Sequence, residues 1–450
     1  MKRPMNLTDL RRRFPRDFVW GVATSAFQIE GAARAEGKGL SIWDEFCRVP
    51  GAIADGSNGD VACDHYHRLE SDLDLIAHLG VRAYRFSISW PRIQPTGSGA
   101  VNEAGLAFYE RLVDGLLARN IQPYATLYHW DLPAELQRLH GGWRARETAE
   151  RFADYAQLVA GRLGDRIVSI ATHNEPWVTA VLGHERGIFA PGVRDRGVAY
   201  QVAHHVLVSH GLALQAIRAA NTKAEVGIVL NLSPVYPETD SELDATHARL
   251  EDGRLVRWYM DALFKGGYPP DIIEHLGVDA PSVRPGDAQL IAQPFDFVGV
   301  NYYSPTVFSS SSNAALPASS GAAVTDMGWE VAPKSLAELL LRLDRDYKLP
   351  PLFITENGAA YQDDVVGGRV DDEQRREYIE SHLVAVADAI ARGVDVRGYF
   401  VWSLMDNFEW AEGYRQRFGM VHVDFATQRR TPKDSFYWYR DVIRSNGGNL

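Results

Sequence analysis

What most constrains this chain is an alternation that recurs along its length, in which short apolar runs rich in β-formers exchange with longer amphipathic stretches. The runs lie at Phe18–Ala23, Ala83–Ser87, Gln122–Leu127, Ile167–Thr172, Val226–Leu230, Phe297–Val300, Leu352–Thr355 and Gly398–Trp402. The helical stretches between and after them include Asp60–Leu79, Glu103–Arg119, Thr148–Leu163, Val198–Ala220, Ser335–Tyr347 and Asp372–Arg392. Such an order marks βα units around a parallel sheet. Eight units with no polar linker between halves favour one closed barrel over two doubly wound sheets. At roughly 100–200 residues per domain, length alone would allow several domains, so the alternation decides the matter. The expectation is an α/β chain forming a single (β/α)8 (TIM) barrel with long βα loops over residues 1–450, with residues 1–16 as an N-terminal extension. The connection from Asn231 to Asp296 is the longest and must carry extra structure. Ser309 to Ser320 is of low complexity and reads as a mobile surface loop after the sixth strand.

Charge narrows the partners. With 47 Lys+Arg against 58 Asp+Glu the formal net charge is −11, whereas nucleic acids and anionic membrane surfaces are bound by clustered positive charge. Neither partner is expected. No apolar stretch approaches the roughly 18 residues of a spanning helix, and Asn6, Thr8 and Asp9 interrupt any apolar segment behind the first basic pair, so no signal peptide is read. Two cysteines, Cys47 and Cys63, are too few for a disulfide framework. A cytoplasmic location is the expectation. Asn231-Leu232-Ser233 matches the glycosylation pattern, which has no consequence without a secretory route.

In a barrel of this kind the catalytic groups project from the C-terminal ends of the strands. Those ends are unusually polar here. The third run leads into Tyr128-His129-Trp130-Asp131, the fourth into His173-Asn174-Glu175-Pro176 and the sixth into Asn301-Tyr302-Tyr303. The seventh ends Thr355-Glu356-Asn357-Gly358, the eighth leads through Trp402 to Asn407-Phe408-Glu409-Trp410, and the first is followed by Phe27-Gln28-Ile29-Glu30. Two glutamates at strand ends, with amides, a histidine and tryptophans around them, are what cleavage of a glycosidic bond requires. One carboxylic acid protonates the leaving oxygen, the other carboxylate attacks or stabilises the anomeric carbon, and aromatic faces stack on the sugar.

These residues resemble the family 1 glycoside hydrolases of β-glucosidase type, from Phe18-Val19-Trp20-Gly21 to Thr431-Pro432-Lys433. Asn174-Glu175-Pro176 resembles the family's acid/base motif and Ile354-Thr355-Glu356-Asn357-Gly358 its nucleophile motif. The resemblance implies Glu175 as general acid/base and Glu356 as nucleophile. It implies Gln28, His129, Trp130, Asn174, Tyr303, Trp402, Glu409 and Trp410 as substrate-binding, with Trp402 as stacking floor. Arg85, Asn301, Trp177, Trp329 and Phe418 would support the site, Trp177 and Trp329 shaping its leaving-group half. The implied activity is that of a retaining β-glucosidase. It releases terminal non-reducing β-D-glucosyl residues, and possible β-galactosyl or β-fucosyl ones, from oligosaccharides or aryl and alkyl glucosides, with no cofactor and no metal. Physical chemistry agrees with the roles. A carboxylate beside Arg85 and the Tyr303 hydroxyl is suited to attack, and Glu175, facing a second negative charge, is pushed toward the protonated form.

A glutamine at position 175 would point to thioglucosides, and a basic, hydroxyl-rich loop at Glu409–Tyr414 to 6-phosphosugars; the chain has neither, and Glu409 would repel a phosphate. A non-catalytic sugar-binding barrel would usually lose one of the two glutamates. A metal-dependent hydrolase needs more strand-end ligands than His129 and His173. Cys63-Asp64-His65-Tyr66-His67 is dense in ligand atoms, yet is read as opening an amphipathic helix with a structural role. His204 and His205 are adjacent on a helix and face apart. Trp143, Trp258 and Trp438 read as core rather than sugar platforms.

Overall fold

The computed structural model describes residues 7–311, 314–315 and 321–445. Eight parallel strands close into the expected barrel: β1 (Val19–Ala23), β2 (Ala83–Ser87), β3 (Gln122–Tyr128), β4 (Ser169–Asn174), β5 (Glu225–Asn231), β6 (Phe297–Asn301), β7 (Leu352–Asn357) and β8 (Val396–Trp402). Each strand pairs with its sequence neighbours, and β1 pairs with β8 to close the cylinder. Outside run α1 (Leu69–Leu79), α2 (Glu103–Ala118), α3 (Arg146–Leu163), α4 (Arg196–Ala219), α5 (Trp258–Lys265), α6 (Pro333–Asp346), α7 (Glu373–Ala391) and α8 (Asp434–Arg444). The ring of helices also closes, α8 packing on both α7 and α1.

Several boundaries differ from the periodicity, four of them for plain physical reasons. β4, β6 and β7 run on past their apolar residues to Asn174, Asn301 and Asn357, because those polar side chains are buried with partners rather than solvated. The first helix starts at Leu69, not at residue 60. Residues 60–68 form turns instead: Ala62 and Asp64 have φ of 49° and 51°, and the amides of Cys63 and His65 donate to the carbonyl of Ile29. The Cys63–His67 run therefore does not open a helix. The long connection after β5 carries helices at Glu242–Asp252, Pro270–Leu276 and Asp287–Ile291 besides α5. After β6, residues 312–313 and 316–320 of the serine-rich segment lie outside the described residues. Among the described residues no helix is long and apolar enough to cross a membrane.

Large and small side chains alternate inside the barrel. Tyr124 sits 5.1 Å from Phe400 and 6.2 Å from Phe353, which lies 5.8 Å from Phe297, ring centre to ring centre. Facing strands make room with Gly21, Gly227, Gly299 and Gly398; a Cβ on Gly21 would come within 2.3 Å of the Phe400 ring. This aromatic layer fills the lumen, so the barrel is a packed plug whose open chemistry is confined to its rim. Gly21→Ala should therefore cost about 1–3 kcal/mol through overpacking, read by urea unfolding, and Gly21→Ala/Phe400→Leu should cost less than the sum of the two single changes. Additive losses would show that the two positions do not compete for the same space.

Candidate active site

The local backbone of β4 and β7 aims the two glutamates. In β4, Thr172 and His173 point outward onto α4, where they bond His210 and Ser209, each at 2.7 Å. The register against β5 shifts between Ala171 and Asn174, and beyond the shift Asn174 and Glu175 both reach partners inside the barrel. β7 repeats the device. Its register slips after Ile354, so that Asn357 bonds outward to the Tyr302 carbonyl at 2.7 Å while Glu356 turns inward. Bulges of this kind re-aim side chains where strict alternation would send them elsewhere. Glu175 also adopts a φ of 50°, a left-handed conformation that costs a non-glycine residue about 1–3 kcal/mol. Its amide donates to the carbonyl of Val229 on β5 at 2.9 Å, which helps to hold it there.

Arg85 on β2 joins the two strands. Its Nη1 donates to Glu356 Oε1 at 2.6 Å and its Nη2 to Asn174 Oδ1 at 2.6 Å. The Tyr303 hydroxyl donates to Glu356 Oε2 at 2.6 Å. Both oxygens of Glu356 thus accept charge-assisted bonds, an arrangement suited to a carboxylate. Glu175 Oε1 accepts from Asn301 Nδ2 at 2.6 Å, and Asn301 is oriented by Thr355 Oγ1, which donates to its Oδ1 at 2.7 Å. Burial pushes the Glu175 carboxyl up to about 8, and the Glu356 charge adds to the shift, against the Asn301 bond and Arg85. The same two causes, burial and Glu356, hold the Tyr303 hydroxyl well above its ordinary value, so it remains a donor.

A second wall is built after β3, β1 and β8. His129 is stacked at 5.9 Å on both Trp402 and Trp410. Burial, reinforced by Arg85, holds its imidazole well below the usual range, so it is neutral. Asn174 Nδ2 lies 3.2 Å from its Nε2. Trp130, with a φ of 79°, donates from its indole to the Asn174 carbonyl at 2.8 Å. Gln28 Nε2 donates to Asn407 Oδ1 and the Phe408 carbonyl, each at 2.9 Å, and reaches Glu409 Oε2 at 3.3 Å. Burial, then the Glu356 charge, pushes the Glu409 carboxyl up to about 8. A permanent charge on Glu409 therefore does not carry the argument against phosphosugars. What carries it is that among the described residues no Lys or Arg lines the cavity.

The cavity has a volume of about 390 Å³ and is lined by Glu175, Glu356, Glu409, His129, Trp130, Asn301, Tyr303, Trp402, Trp410, Trp177, Trp329 and Phe418, among others. Arg85, Asn174 and Gln28 stand directly behind that lining as hydrogen-bond partners. Every site residue expected from the sequence is thus gathered at one rim. Asn231, Val178, Leu182, Phe189, Met327 and Glu330 also line the cavity and were not singled out. Asn231 ends β5, so the strand-end rule that found the others would have found it too. Outside the site, Cys63 Sγ faces the Asp406 carbonyl, His65 pairs with Asp72, and His67 with Asp64; these side chains point to separate partners. Trp143 and Trp258 are fully buried in the core, and Trp438 is half-buried against it.

Comparison with known proteins agrees over nearly the whole chain. The sequence model of glycosyl hydrolase family 1 matches residues 10–448. Beta-glucosidase A of Acetivibrio thermocellus is 47% identical over 444 residues, covering 96% of this chain and 99% of that one. A bifunctional beta-D-glucosidase/beta-D-fucosidase of Bifidobacterium breve is 44% identical, covering 96% and 98%. The solved structure of virulence factor SghA from Agrobacterium tumefaciens superposes with a TM-score of 0.95 at 48% identity, covering 98% and 99%.

The raised Glu175 carboxyl has a consequence for stability. Its value of about 8, against an ordinary 4.5, means that the folded chain keeps a proton there which the unfolded chain has released. That contribution is complete below about pH 4.5 and is lost as pH rises through 8. Glu175→Gln stays neutral throughout, so it should match wild type near pH 4 and become progressively more stable than wild type toward pH 8–9 in urea unfolding. A difference that does not vary with pH would refute the assignment.

Proposed function

Because the chain belongs to glycosyl hydrolase family 1, we propose that Glu356 is the nucleophile and Glu175 the acid/base of its retaining β-glucosidase reaction. One observation carries the reading. Glu356 accepts bonds from a guanidinium and a phenol on its two oxygens, while Glu175, in the same cavity, is held toward its protonated form. Paired carboxyl groups whose environments push them apart are an acid and a base already assigned.

In the first step Glu356 attacks the anomeric carbon and Glu175 gives its proton to the glycosidic oxygen, so the aglycone leaves as an alcohol. The ester that forms consumes the Glu356 charge. With it goes the electrostatic part of the push on Glu175, whose pKa then falls, so that it takes a proton from the incoming water. Asn301 donates to Glu175 in either state and keeps it aimed. The sugar that reacts is seated against Gln28, His129, Asn174, Trp402, Glu409 and Trp410. A glucosyl residue is the main substrate. The Bifidobacterium relative is named for fucosidase activity as well, which supports a site that tolerates change at the far hydroxyls. The free thiols of Cys47 and Cys63 suit a reducing compartment, and a cytoplasmic enzyme is part of the same proposal.

Two measurements test the roles. Proton NMR during early turnover should show the β-anomer of the sugar first, and initial appearance of the α-anomer would mean inversion. In Glu175→Ala, an aryl glucoside with an excellent leaving group should keep far more of its rate than one with a poor leaving group, since it needs no proton. Equal losses would remove Glu175 from the acid role.

The recognition role of Glu409 has its own test. A carboxylate there accepts hydrogen bonds from two sugar hydroxyls, each worth about 1.5–3 kcal/mol, and those bonds offset the burial that raises it. Glu409→Ala should lower kcat/KM by tenfold or more. It should also discriminate much less than wild type against substrates lacking the 4- or 6-hydroxyl; undiminished discrimination would show that another group reads them.

A further inference from the structure

Beyond the reacting centre, the mouth of the cavity has a composition of its own. One side is apolar, formed by Val178, Leu182 and Phe189. Met327, Trp329 and Phe418 also line the cavity, with the Trp329 ring 5.3 Å from Tyr303 and 6.1 Å from Phe418. The segment that carries Met327, Trp329 and Glu330 is a tight turn. Thr325 N donates to the Trp329 carbonyl at 2.9 Å, Gly328 N to the Thr325 carbonyl at 2.8 Å, and Val331 N to the Ala323 carbonyl at 2.8 Å. Asp326 N, bonded to the Ala360 carbonyl at 3.0 Å, ties the turn to the segment after β7. Trp329 and Glu330 are therefore held at the mouth by backbone bonds.

The charges are one-sided. The acidic residues lining the cavity are Glu175, Glu330, Glu356 and Glu409, of which Glu175 and Glu409 are held toward their protonated forms, and among the described residues no Lys or Arg lines it. His129 is neutral, and Arg85 is already engaged by Glu356 and Asn174. The guanidinium of Arg186 lies 5.4 Å from the Trp177 ring but is not part of the lining. Glu330 is half-buried, and among the described residues it forms no ion pair. An anionic leaving group entering this mouth would meet Glu330 with no cation to offset it, in a setting where low-dielectric walls strengthen the repulsion.

We propose that Glu330 sets a charge selectivity in the leaving-group half of the cavity, which disfavours anionic aglycones relative to neutral ones of the same shape. The proposal rests on the reading of the site as that of a β-glucosidase and adds to it the class of leaving group.

The test compares 4-carbamoylphenyl and 4-carboxyphenyl β-D-glucosides, which are nearly the same shape and differ by one charge. At low ionic strength wild type should show kcat/KM on the amide about tenfold or more above that on the carboxylate, the difference lying mainly in KM. The two phenols differ in intrinsic leaving ability, so the decisive quantity is the change in that ratio on Glu330→Gln, in which intrinsic reactivity cancels. The ratio should fall by about threefold or more, and added salt should narrow the wild-type ratio in the same direction. A carboxylate substrate that matches the amide in wild type, or a ratio unmoved by Glu330→Gln, overturns the charge selectivity. If wild type turns over neither the aryl glucosides nor cellobiose, it is the β-glucosidase reading that fails, not the selectivity within it.

Discussion

Three glutamates, Glu175, Glu356 and Glu409, face one cavity, and the guanidinium of Arg85 bonds one of them, Glu356. Ionised carboxylates that close together in a low-dielectric site repel strongly unless something compensates. Arg85 bonds Glu356 directly and reaches toward Glu175 only through Asn174. That asymmetry separates the two carboxyls proposed to be catalytic: one receives the cation, the other keeps its proton because burial and its neighbour leave ionisation costly. Arg85 is itself 3% exposed on the central part of β2, so its position is set by the barrel. The division of labour between Glu175 and Glu356 follows from which strand end the guanidinium reaches.

Such a site opposes the fold that holds it. Glu175, Trp130 and Trp410 all lie at positive φ, two strands are out of register beside the reacting groups, and buried carboxyls carry unfavourable ionisation. The surroundings over-determine the geometry enough to tolerate this. Behind the loop that presents Glu409, Asp406 accepts from Lys433 at 2.7 Å, from Arg417 at 2.6 Å and from the Gly419 amide at 3.0 Å. Lys433 also pairs with Asp363, which Arg375 holds in turn at 2.8 Å. Those ion pairs are almost wholly buried and join the segments after β7 and β8. Removing one partner of such a pair strands a buried charge, so the loop tolerates loss of none of them.

How much of this was legible in the sequence depended on where a residue sits. Strand cores announce themselves through apolar runs, and Ala83–Ser87 is bounded identically by pattern and by structure. The extensions to Asn174, Asn301 and Asn357 were invisible to hydropathy because polar residues there are buried by partners from other strands. The Cys63–His67 turn was misread as helix because its backbone bonds run to Ile29 and Glu30, more than thirty residues away, which no local periodicity encodes. The paired glutamates and their aromatic company were legible because strand ends of a parallel barrel converge by topology. Their register shifts were not, since a bulge leaves no compositional mark.

The same contrast separates the two halves of the cavity. The groups around the reacting sugar stand at strand ends or immediately after them, on a scaffold whose packing leaves them little freedom. The mouth is lined by residues of the loops after β4, β6 and β8, such as Phe189, Met327, Glu330 and Phe418, whose places follow from turns rather than from barrel closure. A substitution at a strand end disturbs the lumen packing as well as the chemistry. The turn at Thr325–Val331 is held by its own backbone bonds, outside the paired residues of β6 and β7. Chemistry in this molecule is accordingly tied to the fold, and leaving-group preference is the property free to vary, because the interactions that determine it are local to a turn that closes on its own backbone bonds.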